Sequence, residues 1–411
     1  MNWFIIILFI ISIILFLVSK YYLLKKKVEI ENIEAYENEN SLTTKDRLLK
    51  YHNITLQYLD VVKAKNLIVR DGEYLKGMNQ ANLSARGCIS IDDLYNKYKE
   101  AFLNITNDEK DTIDLFILNL LDDIKNDEHY YKYVQKWLQK ISIAKSKDWL
   151  EAGMPHTLDT TIVMDANWFI KPRSSTLIHE ITHIHQRQYS TEFEDLYPSL
   201  GYYYNPVDIK GLEEIYPLNR NNPDGMSKYW LWHNGVGGSN DSTDSTDSNG
   251  SNGSTDNKGA RGAEALVKGA RDRILEIPYA KEGELATYWW IGAIFKTAIP
   301  SSLTDINMMA LKLDKENNSD SNSNSNNNSN SNMGYIFYYL KQNPTPLNKF
   351  TEFINFFGDN PNNYHPNEMT AKFSEWFLED KIKNKINNSN DNYEGYRIYK
   401  TYFENLINKY Y

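Results

Sequence analysis

Two histidines four residues apart constrain this chain more than any other feature. In His179-Glu180-Ile181-Thr182-His183, an H-E-x-x-H, positions i and i+4 share one face of an α-helix. At about 3.6 residues per turn, Leu177, Ile181, Ile184 and Gln188 fall on one stripe, and both imidazoles fall on the opposite side. Three of those four stripe residues are apolar, so the helix has a core face and a separate ligand face. Ser174, Ser175 and Thr176 offer hydroxyls for its N-cap. Two imidazoles so placed can reach one Zn²⁺, and Glu180 between them can act as general base on water. His185 lies about 160° from His183 around the helix, which removes it from the ligand face. The run 159–164 has strand-like composition and precedes the helix after a short connection, which makes it a candidate edge strand beside the site.

A zinc ion that works on water needs a third protein ligand and one open position. Glu368, in His365-Pro366-Asn367-Glu368-Met369-Thr370-Ala371, is the best candidate. Pro366 can start a helix, Ala371 permits close helix–helix approach, and Phe373, Trp376 and Phe377 give the helix something to pack with. The same glutamate also reads as a helix-start acid favoured by the macrodipole. Glu284 and Glu282, ahead of a Trp-rich segment read as a helix, compete with it, followed by Glu213 and Glu214. His233 and His365 are weaker ligand candidates. Arg220-Asn221-Asn222-Pro223-Asp224-Gly225 is most simply a turn, with substrate contact by Arg220 or Asp224 as the alternative. Tyr202, Tyr203, Tyr204, Tyr216, His233 and His365 are all eligible to stabilise an oxyanion, and the sequence does not choose among them. Trp230, Trp232, Trp289 and Trp290 read as core.

The rest of the chain sets the context. Residues 3–24 are almost wholly apolar and long enough to cross a bilayer, and Lys25, Lys26 and Lys27 follow directly. No basic residue precedes the run and no small-x-small site follows it, so a retained anchor fits better than a cleaved signal. Positive charge stays on the cytosolic side, which puts the body in the cytosol or a virion interior. An acidic stalk follows. Residues 41–70 carry helical spacing. Leu94, Tyr98, Phe102 and Ile105 repeat at helical intervals, Asn107 can cap a second helix, and 130–143 forms a third. Tracts 237–257 and 317–332 are built from Gly, Ser, Asn, Asp and Thr and are expected to be flexible loops inserted within one domain. One cysteine, Cys88, excludes a disulfide framework and a Cys-rich zinc module. A net charge of −9 without a basic stripe argues against nucleic-acid binding.

H-E-I-T-H followed far downstream by N-E-M-T-A resembles the gluzincin pattern, in which the first motif supplies two ligands and E-x-x-A on a later helix the third. More narrowly, Pro155-His156-Thr157 through Gln186-Arg187, then the Arg220 to Asp224 tract and His365-Pro366-Asn367-Glu368, resemble metallopeptidase-like proteins of large DNA viruses. The resemblance implies a zincin fold and peptidase chemistry, with His179, His183 and Glu368 as ligands and Glu180 as base. No H-x-x-G-x-x-H extension follows His183, which disfavours a metzincin.

The expected fold is mainly α, of the α+β zincin-like kind with a small sheet. Its parts are an anchor at 1–24, a stalk at 25–50, a helical region at 51–145, a catalytic domain at 146–385 with inserts 237–262 and 315–333, and a C-terminal helix at 386–411. The expected function is a membrane-anchored zinc metallopeptidase acting on a protein or peptide and held to the lipid bilayer by its N-terminal helix. The alternative is a non-enzymatic anchored virion or structural protein with a relic metal site.

Overall fold

A computed structural model describes residues 52–68, 72–205, 208–225, 229–233, 287–316, 336–339, 344–359, 364–383 and 389–411. The apolar run 3–24, the stalk, Glu282, Glu284 and both low-complexity tracts lie outside the described residues. Among the described residues no helix is long and apolar enough to cross a membrane.

The first three long helices each begin on a side chain that satisfies a free N–H group. Ser90 caps α1 (Ile91–Ala101) and Asp127 caps α3 (Glu128–Leu138). Between them, α2 (Asn107–Ile124) starts on Thr106, one residue before the expected cap, with Glu109 closing a capping box. Downstream come α4 (Ser174–Gln188), α5 (Thr351–Phe357), α6 (Pro366–Lys383) and α7 (Glu394–Tyr410).

The region 51–145, expected to be all-helical, contributes strands to a sheet that continues to residue 165. Its strands are β1 (Gln57–Tyr58), β2 (Phe102–Leu103), β3 (Ser142–Ser146), β4 (His156–Leu158) and β5 (Thr161–Asp165). They run in the order β1-β3-β5-β4, with β2 also pairing β3. The pairs β1–β3 and β3–β5 are parallel, and β4 lies antiparallel on β5. The expected helix over 130–143 therefore stops at Leu138, and Ile143 enters β3, which runs through the expected junction at 145/146. Within the described part of 41–70, only Val61–Ala64 forms a helical turn. The expected edge strand 159–164 is interior, and β4 is the edge. Asp159 makes the turn between them with φ 54°, a conformation that Asp tolerates better than most residues.

A second sheet, entirely antiparallel, follows α4. It consists of β6 (Tyr202–Tyr204), β7 (Trp230–His233), β8 (Tyr288–Phe295), β9 (Ile306–Glu316), β10 (Ile336–Tyr339) and β11 (Thr345–Pro346). Its order is β10-β9-β8-β7-β6, with β11 also on β9. The Trp-rich segment read as a helix is thus strand β8, buried on both faces, and the fold is α+β with two sheets. Trp232 and Trp290 are core, as expected. Gly292 is required because a Cβ there would collide with the Trp290 ring. His233 pairs with Tyr288, and Glu316 pairs with Ile336. Both low-complexity connections therefore join directly paired strand ends.

The layer that positions the candidate site is α4, which packs against β4 and β5 on one side and against α6 on the other. Under it lies a strained turn. Glu151, Ala152 and Gly153 have φ of 46°, 57° and 74° in succession. The two non-glycine residues cost roughly 1–2 kcal/mol each in this region. A buried ion pair holds the turn: Arg86 Nε and a terminal nitrogen donate to Glu151 at 3.0 and 2.7 Å, and Tyr74 donates at 2.7 Å. Burial opposes the charge on Glu151, and Arg86 overcomes that and holds its carboxyl below the usual range. Arg86→Met leaves this carboxylate buried without its cation and is expected to destabilise the protein by about 3–5 kcal/mol. Arg86→Met/Glu151→Met should recover much of that loss, with urea unfolding as the measurement.

Candidate metal centre

Helix α4 has the two faces that its sequence requires. Leu177, Ile181 and Ile184 are fully buried, and Gln188 at the end of the stripe is exposed. Ser174 starts the helix, and no side chain caps it; Arg173 occupies the N-cap position. The three upstream hydroxyls therefore do not act as caps. His185 points away from the ligand face. It is buried between the Tyr133 hydroxyl at 3.1 Å and Glu192 at 2.6 Å.

Glu368 comes from the first turn of α6 and completes a group with His179 and His183. His179 Nε2 lies 3.4 Å from Glu368 Oε2, and His183 Nε2 lies 3.8 Å from Oε1. Ligand atoms of the three all lie within 4.8 Å of one another. The helices approach through small side chains: Ala371 is fully buried, and Thr182 Oγ1 donates to Ser374 Oγ at 2.8 Å. Each imidazole is oriented from its far nitrogen. His179 Nδ1 is 2.8 Å from Glu375 Oε1, and His183 Nδ1 is 2.8 Å from Gln186 Oε1. Gln186 is itself fixed by its Nε2 donating to Thr370 Oγ1 and the Asn367 carbonyl.

This arrangement fits a divalent metal ion on its own chemistry. With Nδ1–H donated to Glu375 or Gln186, each ring turns its Nε2 lone pair toward Glu368. His183 Nε2 is buried and has no hydrogen-bond partner, an orphaned acceptor that a cation would satisfy. Two imidazoles and one carboxylate form a donor set suited to zinc. Burial opposes a charge on His179, but hydrogen bonds to Glu368 and Glu375 push its pKa well up. Burial would raise Glu368, and the two imidazoles instead hold it well below the carboxylate range.

Glu180 faces the same cavity, a space of about 200 Å³. Burial, with the charge of Asp224 added, raises its pKa to about 8. Its Oε2 accepts from Thr157 Oγ1 on the edge strand β4 at 2.7 Å.

The tract 220–225 forms one wall of the cavity. Asn222 donates to Glu368 Oε1 at 2.5 Å and to the Tyr364 hydroxyl at 2.9 Å. Arg220 donates to the same hydroxyl at 2.9 Å. Asp224 accepts from the Thr157 backbone N–H and from Arg187, both at 3.0 Å. Asn82 and Gly77 hold the tract from behind through Asn221. Gly225 has no room for a Cβ because the His365 ring fills that space.

The candidates named from sequence divide clearly. Tyr202, Tyr203, Tyr204, Tyr216, His233, Glu213 and Glu214 do not line the cavity. His365 caps α6, accepting from Asn367 N–H at 3.1 Å. Tyr364 does line it, and sequence reading missed it, as it missed Glu375. Glu375 was recoverable: it lies seven residues after Glu368 on a predicted helix and so shares its face. Tyr364 precedes the helix and carries no periodic signal.

Glu375→Gln should keep the fold and weaken metal binding about 10- to 100-fold, measured by competition with a chelating dye. His183→Ala should abolish stoichiometric binding. Unchanged affinity in both variants would show that these groups are not a metal centre. Comparison with protein-family models, with curated proteins and with solved structures returns no match.

Proposed function

We propose that the protein is a zinc-dependent peptidase of zincin-like architecture, with His179, His183 and Glu368 holding the ion. The observation that carries this reading is the convergence of two oriented Nε2 atoms, one of them orphaned, on a buried carboxylate, with Glu180 in the same cavity. Support for the architecture comes from a motif helix packed beside a mixed sheet whose edge strand, β4, runs antiparallel to its neighbour. The N-terminal apolar run and its three lysines support membrane anchoring, with the body in the cytosol or a virion interior.

Zinc in such a site acts as a Lewis acid, lowering the pKa of water and polarising a carbonyl. The protein's own groups do the rest. Glu180, buried in the cavity beside the three ligands, is the carboxylate that would take a proton from water and return it to the leaving amine. Thr157 fixes the direction of that carboxyl. Tyr364 accepts hydrogen bonds from both Arg220 and Asn222, so its own O–H remains to be donated. Burial holds that phenol above its ordinary pKa even beside Arg220, so it stays protonated. It is the group we assign to the oxyanion that develops on the scissile carbonyl.

Glu180→Gln should retain one equivalent of zinc and lose peptide hydrolysis. Tyr364→Phe should lower kcat about 10²- to 10³-fold with KM little changed. Cleavage of a peptide library, followed by mass spectrometry, provides the readout. If no hydrolysis depends on Glu180 while zinc is bound, the protein is instead an anchored component with a relic metal site.

A further inference from the structure

The cavity lining holds two basic side chains that the proposed reaction does not fully use. Arg220 is 8% exposed and lines the cavity. Of its guanidinium nitrogens only one is hydrogen-bonded among the described residues, to the Tyr364 hydroxyl, and no carboxylate pairs with it there. The two carboxylates that act on it most strongly are already engaged. Glu368 is turned to the imidazoles and Asn222, and Glu151 is held by Arg86. A guanidinium that lines a cavity and has no carboxylate partner among the described residues is available to an anionic ligand.

A second group points the same way. His156, on edge strand β4, is 2% exposed and also lines the cavity. Its Nδ1 lies 3.1 Å from the Met154 carbonyl, and its Nε2 is buried without any partner. Glu151, Arg220 and His156 all line this cavity.

The edge strand supplies a third constraint. The Thr157 N–H, which an extended substrate strand would need, is already taken by Asp224, and Arg187 holds Asp224 in turn. A long chain laid along β4 therefore loses that hydrogen bond. A cavity of about 200 Å³ closed on this side favours a ligand that enters by one residue or one end.

We propose that Arg220, with His156 in the same cavity, is a binding subsite for a carboxylate of the substrate, close to the bond to be cleaved. The proposal builds on the peptidase reading for what that carboxylate belongs to. A planar guanidinium fork suits carboxylate geometry, and the low dielectric of the cavity strengthens the pair. The carboxylate has two possible sources, the C-terminus of a peptide or an acidic side chain.

The test uses full-length Glu180→Gln protein loaded with zinc, so that binding is read without turnover. The probes are N-acetyl-trialanine as free acid and as amide, and N-acetyl-Ala-Ala-Glu-amide against its Gln counterpart. Calorimetry should show one acid bound roughly 10- to 100-fold more tightly than its neutral partner. A preference in the first pair assigns the terminal carboxylate, and one in the second pair the side chain. Arg220→Met should erase the preference, and Arg220→Lys should keep only part of it. Equal binding within both pairs, including no binding of any probe, overturns the subsite, as does a preference that survives Arg220→Met. If Arg220→Met does not fold, the comparison of acid with neutral probe and Arg220→Lys still decide. An acid preference in a protein that hydrolyses nothing would remove the peptidase reading and leave the subsite standing.

Discussion

The site depends on how closely α4 and α6 approach. Thr182 meets Ser374, Gln186 meets Thr370, and Ala371 leaves no side chain in the way. A helix contact lined by larger residues would hold the axes further apart. Glu368 would then fall short of the two imidazoles, and Glu375 would no longer reach His179. Packing thus converts two sequence motifs separated by nearly half the chain into one cluster. The hydrogen bonds across that contact tie together hydroxyls that also bond carbonyls of their own helices, so the interface is at once tight and satisfied.

Much of this was legible because helices expose their periodicity. The spacing of His179 and His183, the apolar stripe at Leu177, Ile181 and Ile184, and the Pro366 start with Ala371 one turn past Glu368 all follow from one geometric rule. The strands were harder to read. Strand β8 is buried on both faces, so Tyr288 to Phe295 shows an unbroken apolar run rather than alternation, and such a run reads equally well as a buried helix. Phe102 and Ile143 extend helical patterns by coincidence of spacing, and pairing with β3 and β5 overrides them. The tract 220–225 was read as a turn. Its role in the cavity wall comes from partners at Asn82, Thr157, Tyr364 and Glu368, all distant in sequence.

The cavity also sets two buried arginines in contrast. Arg86 is matched by a carboxylate in fork geometry, and the pair holds a turn that the backbone alone would resist. Arg220 has a phenol and no counter-ion among the described residues. The first arrangement spends its charge on architecture, while the second keeps its charge available. Between them, Glu151 links the strained turn to the wall where a ligand would sit.

The paired strand ends of the second sheet have a genetic consequence. His233 lies opposite Tyr288 and Glu316 opposite Ile336, so the register closes before either low-complexity tract begins. Closing a flexible connection costs only about 0.6 kcal/mol more for each doubling of its length. At these two points the sheet closes its register whatever the length of the connection, so insertions or deletions between the paired ends leave the strands on either side in register.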